Sequence, residues 1–159
     1  MAEDRQRRYA AHGELGVGTD ITALVARNEV AAIWIAGVVA YSEVFHFIHI
    51  GVSRGSSRAF MGGPVLGLRF ADGRQEMHDG IMFRRIPATD ISPPMLWHLR
   101  GHFDASRWFH LWSVPLPPPG PLTIVSTWPE EGIAETAITI DAGPILDAAA
   151  RATPIWRSR

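Results

Sequence analysis

Cysteine and lysine are both missing from this chain of 159 residues. Without cysteine there can be no disulfide, no thiolate metal site and no thiol nucleophile. Without lysine all 15 basic residues are arginine, a pattern that GC-rich coding produces, although arginine also suits bidentate phosphate contacts. Charge of one sign is lacking too: the formal net charge is −1, which gives no overall pull toward nucleic acid or anionic membrane. No long hydrophobic run is present. The longest uncharged apolar stretch, Val30 to Ser42, has 13 residues, short of the roughly 20 a membrane-spanning helix needs. The opening Met-Ala-Glu-Asp-Arg-Gln-Arg-Arg is charged and no signal-type apolar segment follows it, so a cytoplasmic location with no membrane partner is expected. Gly-x-Ser-x-Gly, a glycine-rich phosphate loop, spaced acidic calcium ligands, heptads and internal repeats are all missing.

What is there is apolar and punctuated by turns. Hydrophobic residues make up 47% and charged residues 19%, the balance of a globular domain, and the length fits one domain able to bury its own core. Residues 1–20 carry charges and the glycines Gly13, Gly16 and Gly18 without a sustained period, and read as a flexible arm ahead of a single domain over 21–159. Ile21 to Ala26 reads as a short strand. Val30 to Tyr41 and Glu43 to Val52, rich in Val and Ile, read as an antiparallel hairpin. In its second strand Phe45, Phe47 and His49 share one face, while Val44, His46, Ile48 and Ile50 share the other. Val65 to Ala71 and Arg74 to His78 flank Asp72-Gly73, a pair that tolerates the positive φ of a two-residue hairpin turn.

Between Ile81 and Asp104 the pattern weakens. Ser92-Pro93-Pro94 is equally compatible with a short helix ending at Gly101 and with a loop. Trp108 to Ser113, Leu122 to Trp128 and Ala134 to Ile140 read as strands, and Asp141 as the N-cap of a helix over Ala142 to Ala152. Five of the seven residues from Pro115 to Pro121 are proline, so this stretch forbids helix and central strand and must be a stiff bridge between two aromatic strands. The expected fold is mainly β: an antiparallel sandwich or open barrel of about seven strands with one C-terminal helix.

Two sets of residues invite chemistry. His98 and His102 share a face only if their segment is helical; then His110, and a carboxylate such as Asp104, would complete a metal site for a hydrolase. On a strand the pair would stand about 13 Å apart, too far for one ion. His46 and His49 fall on opposite strand faces and are expected to be packing histidines. Arg54 and Arg58 around Ser56-Ser57 could meet a phosphate or an RNA backbone, helped by Arg5, Arg7 and Arg8, yet a solvated basic loop accounts for them as well. Among the six tryptophans, Trp34 and Trp97 read as core, and Trp108, Trp112 and Trp128 as a cluster on the proline bridge.

Arg107-Trp108, the run Pro115-Leu-Pro-Pro-Pro-Gly-Pro-Leu122, Trp128-Pro129, Gly132-Ile133 and the helix Asp141 to Arg151 occur in order, with the Phe70-Ala-Asp-Gly-Arg74 hairpin ahead of them. Over about residues 24–156 this resembles a family of small uncharacterised proteins common in actinobacteria. The resemblance implies no catalytic residue, cofactor or substrate; it does imply a glycine-rich loop at Met95 to Phe103, where this chain carries Trp97, His98 and His102. The expected function is therefore non-catalytic: a binding or assembly module acting through self-association or a protein partner, with Arg54, Arg58, Arg107, Trp108 and Trp112 as its contact residues and no cofactor. A metal-dependent hydrolase using His98, His102 and His110 is the alternative, and phosphate or RNA binding through the arginine loops the third reading.

Overall fold

The two Val/Ile-rich stretches form the predicted hairpin. In the computed structural model, which describes residues 13–54, 63–78, 95–103 and 106–156, β4 (Ala31–Ala40) pairs antiparallel with β5 (Phe45–Ser53). A six-stranded sheet grows around them: β2 (Val17–Gly18) and β3 (Ala23–Arg27) both pair with β4, β9 (Ser106–Val114) pairs with β5, and β8 (Met95–Phe103) pairs with β9. The second sheet has four strands in the order β11 (Ile133–Asp141), β10 (Pro121–Trp128), β6 (Val65–Arg69) and β7 (Gln75–His78). β1 (Glu14–Leu15) and β12 (Thr153–Pro154) pair near the two ends of the described chain. All of these ladders are antiparallel, the sheets stack as a sandwich, and no closed barrel forms among the described residues. At the margins β3 lies against β11 and β7 against β8.

Twelve strands are formed among the described residues rather than about seven, for two reasons. The arm expected over 1–20 is, in its described part, the two short strands β1 and β2. Met95 to Phe103, read as helix or loop and implied to be glycine-rich, is a nine-residue strand. Its signal was period two: apolar Met95, Trp97, Leu99 and Phe103 alternate with His98, Arg100 and His102. The preceding Ser-Pro-Pro masked that alternation by resembling a helix start.

Between the sheets lies one apolar core. The large sheet contributes Ile33, Ile35, Phe45, Phe47 and Leu111, and the small sheet Leu66, Leu68, Leu122, Ile124 and Trp128, all of them buried. Burying a side chain of this kind contributes about 1.5–3 kcal/mol. Helix α1 (Gly143–Ala149) packs on β4 and β2 and buries Ile145, Ala148 and Ala149. It is shorter than the predicted Ala142 to Ala152. Its N-cap is Ala142, and the Asp141 carboxylate instead accepts from the Gly143 N–H at 3.0 Å.

Gly51 marks the tightest contact in the core. A Cβ there would stand 2.8 Å from Trp128 Cζ3 and 3.0 Å from Pro64 Cγ, so the indole lies on bare β5 backbone. Gly51→Ala is expected to destabilise the fold by about 1–3 kcal/mol through overpacking, read as a lower urea midpoint with unchanged slope.

The proline run carries the chain from β9 in one sheet to β10 in the other. Pro117 is buried, Pro121 opens β10, where a proline is tolerated, and Gly120 at φ 115° makes the turn between them. Anchoring comes from the helix side: the Ala142 N–H donates to the Gly120 carbonyl at 3.0 Å.

Candidate functional site

Strand alternation gives the large sheet two faces of unusual character. An antiparallel sheet with one face on the core normally turns polar residues outward. Here the outward rows are apolar. Reading across the ladders, Leu24, Trp34, Ile50, Trp108 and Gly101 form one row, Ile48, His110 and Leu99 a second, and Val39, His46, Trp112 and Trp97 a third. No Asp, Glu or Arg occupies these rows. Leu24 is 51% exposed, while Trp34, Ile48, Ile50 and Trp112 are half-buried by one another.

One end of this face is an aromatic stack. The His46 imidazole lies on the Trp112 indole at 4.6 Å between centroids and 17° between planes, and Tyr41 meets the same indole at 5.6 Å. Gly16 closes over the far side of Tyr41, where a Cβ would fall 2.6 Å from the ring. Burial raises the Tyr41 pKa, since the phenolate would lose hydration there.

The aromatic residues therefore sort differently from the sequence expectation. Trp34 is not core: it stands on the outer face, and Trp97 stands opposite Trp112 in the register of that face. Trp128 leaves the expected bridge cluster, being 1% exposed in the core between the sheets. Trp108 and Trp112, two of the predicted contact residues, do share a face. Arg107 stands on the opposite one, in register with Gly51 and His102. Arg54 follows β5 as an exposed residue whose N–H donates to the Val30 carbonyl, and Arg58 lies outside the described residues, as do Arg5, Arg7 and Arg8.

The segment that carries His98 and His102 is a strand and not a helix. His98 and His102 are four residues apart on β8, about 13 Å at strand rise, and His110 belongs to the alternate set of positions, in register with Leu99. The helical condition for the metal site is thus not met, and among the described residues no group of three His, Cys, Asp or Glu is placed to hold an ion. Asp104 lies outside the described residues. His46 and His49 do fall on opposite faces, as expected, with His49 fully buried.

On the inner face polarity changes along the strands. The row Ala40, Phe45, Ser113, Leu96 is followed by Val38, Phe47, Leu111, His98, then by Ile35, His49, Phe109, Arg100, and finally by Ile33, Gly51, Arg107, His102. Across the sandwich Glu76 pairs with buried Leu68 and belongs to the inward set of β7. Loss of hydration raises its carboxyl pKa. An acid whose folded pKa is raised binds its proton more tightly when folded, so its contribution to stability is present below the unfolded pKa and is lost as pH rises through the folded one. Glu76→Gln is expected to melt above the parent at about pH 7 and level with it below about pH 4, measured by circular dichroism.

No protein-family model, no curated protein and no solved structure matches this chain. No described helix is long and apolar enough to cross a membrane. The reading of function therefore starts from the two faces of the large sheet.

Proposed function

We propose that this protein is a non-catalytic assembly module, acting in the cytoplasm, that pairs with a second copy of itself through the outer face of β4, β5, β9 and β8. One observation carries the reading: four adjacent strands turn uncharged, largely apolar and aromatic rows away from the core. Four strands of about nine residues cover roughly 19 by 30 Å. That is the scale of the ~800 Å² each partner gives to a standard interface. A two-fold interface sets the same patch against itself, so a patch with no charge meets no like charge. An uncharged sheet face of this extent, with partly exposed Trp34, Ile48, Ile50 and Trp112, is also rare on a protein that stays alone.

Size-exclusion chromatography with light scattering on the full chain tests this. Twice the 17.5 kDa chain mass is expected. A chain monomeric at every concentration, with no protein retained on it, would refute the reading; a monomer that retains a different protein would replace self-association with partner binding.

A further inference from the structure

Strand β11 leaves one of its two edges without a partner among the described residues. It ends the small sheet on the side away from β7, pairs only with β10, and shares no ladder with β3, which approaches β10 as well as β11. The register fixes where its backbone groups point. The Ala142 N–H donates to the Gly120 carbonyl, one residue beyond the pair of Asp141 with Pro121, so Ile140, Ile138 and Thr136 turn their N–H and C=O toward β10. Pro121 agrees, because its nitrogen has no hydrogen to give and it stands in the alternate, non-bonded set. Asp141, Thr139 and Ala137 therefore turn N–H and C=O to the open edge, and among the described residues no backbone bond outside the ladders reaches those groups.

From Thr136 to Asp141 the strand carries few of the features that blunt a sheet edge: no proline, no arginine, and no bulge, since its register shift falls before Thr136. Its side chains define what fits beside it. Those of the inner set, Thr136, Ile138 and Ile140, stay partly exposed, although Leu122 and Ile124, opposite Ile140 and Ile138 on β10, are fully buried. An added strand with apolar side chains on that face would cover them. The outer set, Glu135, Ala137, Thr139 and Asp141, is exposed and holds two carboxylates and no cation. Arg69 stands 3.6 Å from Glu135, and with both side chains more than half exposed it neutralises that carboxylate only weakly.

We propose that the open edge of β11 takes up an extended basic segment of a partner protein as an additional antiparallel strand, its apolar β-branched residues beside Ile138 and Ile140 and its cations opposite Glu135 and Asp141. Main-chain bonds to Ala137, Thr139 and Asp141 supply affinity, while the alternation and the charges select the partner. This edge belongs to the small sheet, so the inference does not rest on self-association through the large one.

Fluorescence anisotropy on the full chain, with the labelled peptide Arg-Val-Thr-Val-Thr-Val-Arg amide as the probe, tests the edge; the peptide reads the same in both directions and sets arginine at both ends. Saturable binding is expected. It should be about tenfold weaker for the peptide with glutamate at both ends, and for the arginine peptide whose threonine nitrogens are methylated and so lack the ladder donors. Ala137→Pro removes an edge donor while leaving the β10 ladder intact, and should weaken the arginine peptide about tenfold; Ile50→Lys, on the other sheet, leaves it unchanged. No saturable binding, equal binding of the glutamate peptide, indifference to methylation, or loss in Ile50→Lys would overturn the proposal. An oligomer larger than the dimer that Ala137→Pro returns to the dimer would put a second copy at this edge and overturn it too. Should Ala137→Pro fail to fold, the methylated peptide on the parent protein decides by itself.

Discussion

Replacing Trp128 with alanine is expected to remove about 3–5 kcal/mol of folding stability. The indole is the largest fully buried side chain among the described residues, seated between the sheets on the bare backbone of Gly51 and beside Pro64. Its removal leaves a hole that a strand backbone on one side and a proline ring on the other cannot collapse to fill, so both the transfer and the cavity contributions are lost. For a chain of this length a melting temperature lower by about 10 °C or more follows. Differential scanning calorimetry gives the measurement, and Trp156→Ala the reference: at 73% exposure Trp156 should change stability by no more than about 0.5 kcal/mol. If the two variants melt together, Trp128 is not the centre of the core.

Ile50→Lys is expected to convert the proposed dimer to monomer while leaving the monomer folded. Ile50 sits between Trp34 and Trp108 in the middle of the outer face, half-buried, with its neighbours Gly51 and His49 turned inward. A lysine there keeps its stem along the apolar surface and lifts its ammonium into water in the monomer. In a two-fold pair the same charge arrives from both copies on a surface with nothing to neutralise it, which costs several kcal/mol. A loss of about 2.8 kcal/mol is a 100-fold loss of affinity, so dimerisation weaker by roughly 100-fold is expected. Sedimentation equilibrium measures it, and near-ultraviolet circular dichroism reports whether Trp128 keeps its packing. A variant that folds and still dimerises would place the interface elsewhere.

Different parts of the fold were legible in the sequence to different degrees. Asp72-Gly73 announced its hairpin because few residue pairs tolerate the positive φ that Gly73 adopts at 87°. The hairpin of β4 and β5 was legible from Val and Ile content, and the alternation within β5 correctly set Phe45, Phe47 and His49 against His46, Ile48 and Ile50. Helix α1 was recognised, but its ends were misplaced, since Asp141 bonds Gly143 from one position before the cap. Met95 to Phe103 was missed because a local start signal outweighed a period-two pattern whose meaning depends on β9 lying alongside.

The candidate site was less legible. Trp108 and Trp112 were expected as contact residues from their type, and Arg107 was grouped with them by nearness in sequence, although a strand places adjacent residues on opposite faces. Trp34 was assigned to the core because large aromatics usually belong there. No rule of composition separates an inner face from an outer one when both are apolar.

The sequence by itself determined that this is a nearly neutral, disulfide-free, mainly β chain with a proline crossing and a C-terminal helix. Those features depend on φ restriction, on period and on residue type, all of which act within a few neighbouring positions. Only the tertiary structure decided which side of each strand faces the core. That choice follows from the second sheet and α1 covering one face of the first, which puts Trp128 inside and leaves the Trp34 and Trp112 rows outside. A one-residue change of register would exchange the two faces, so their identity belongs to long-range pairing and not to any local stretch of chain.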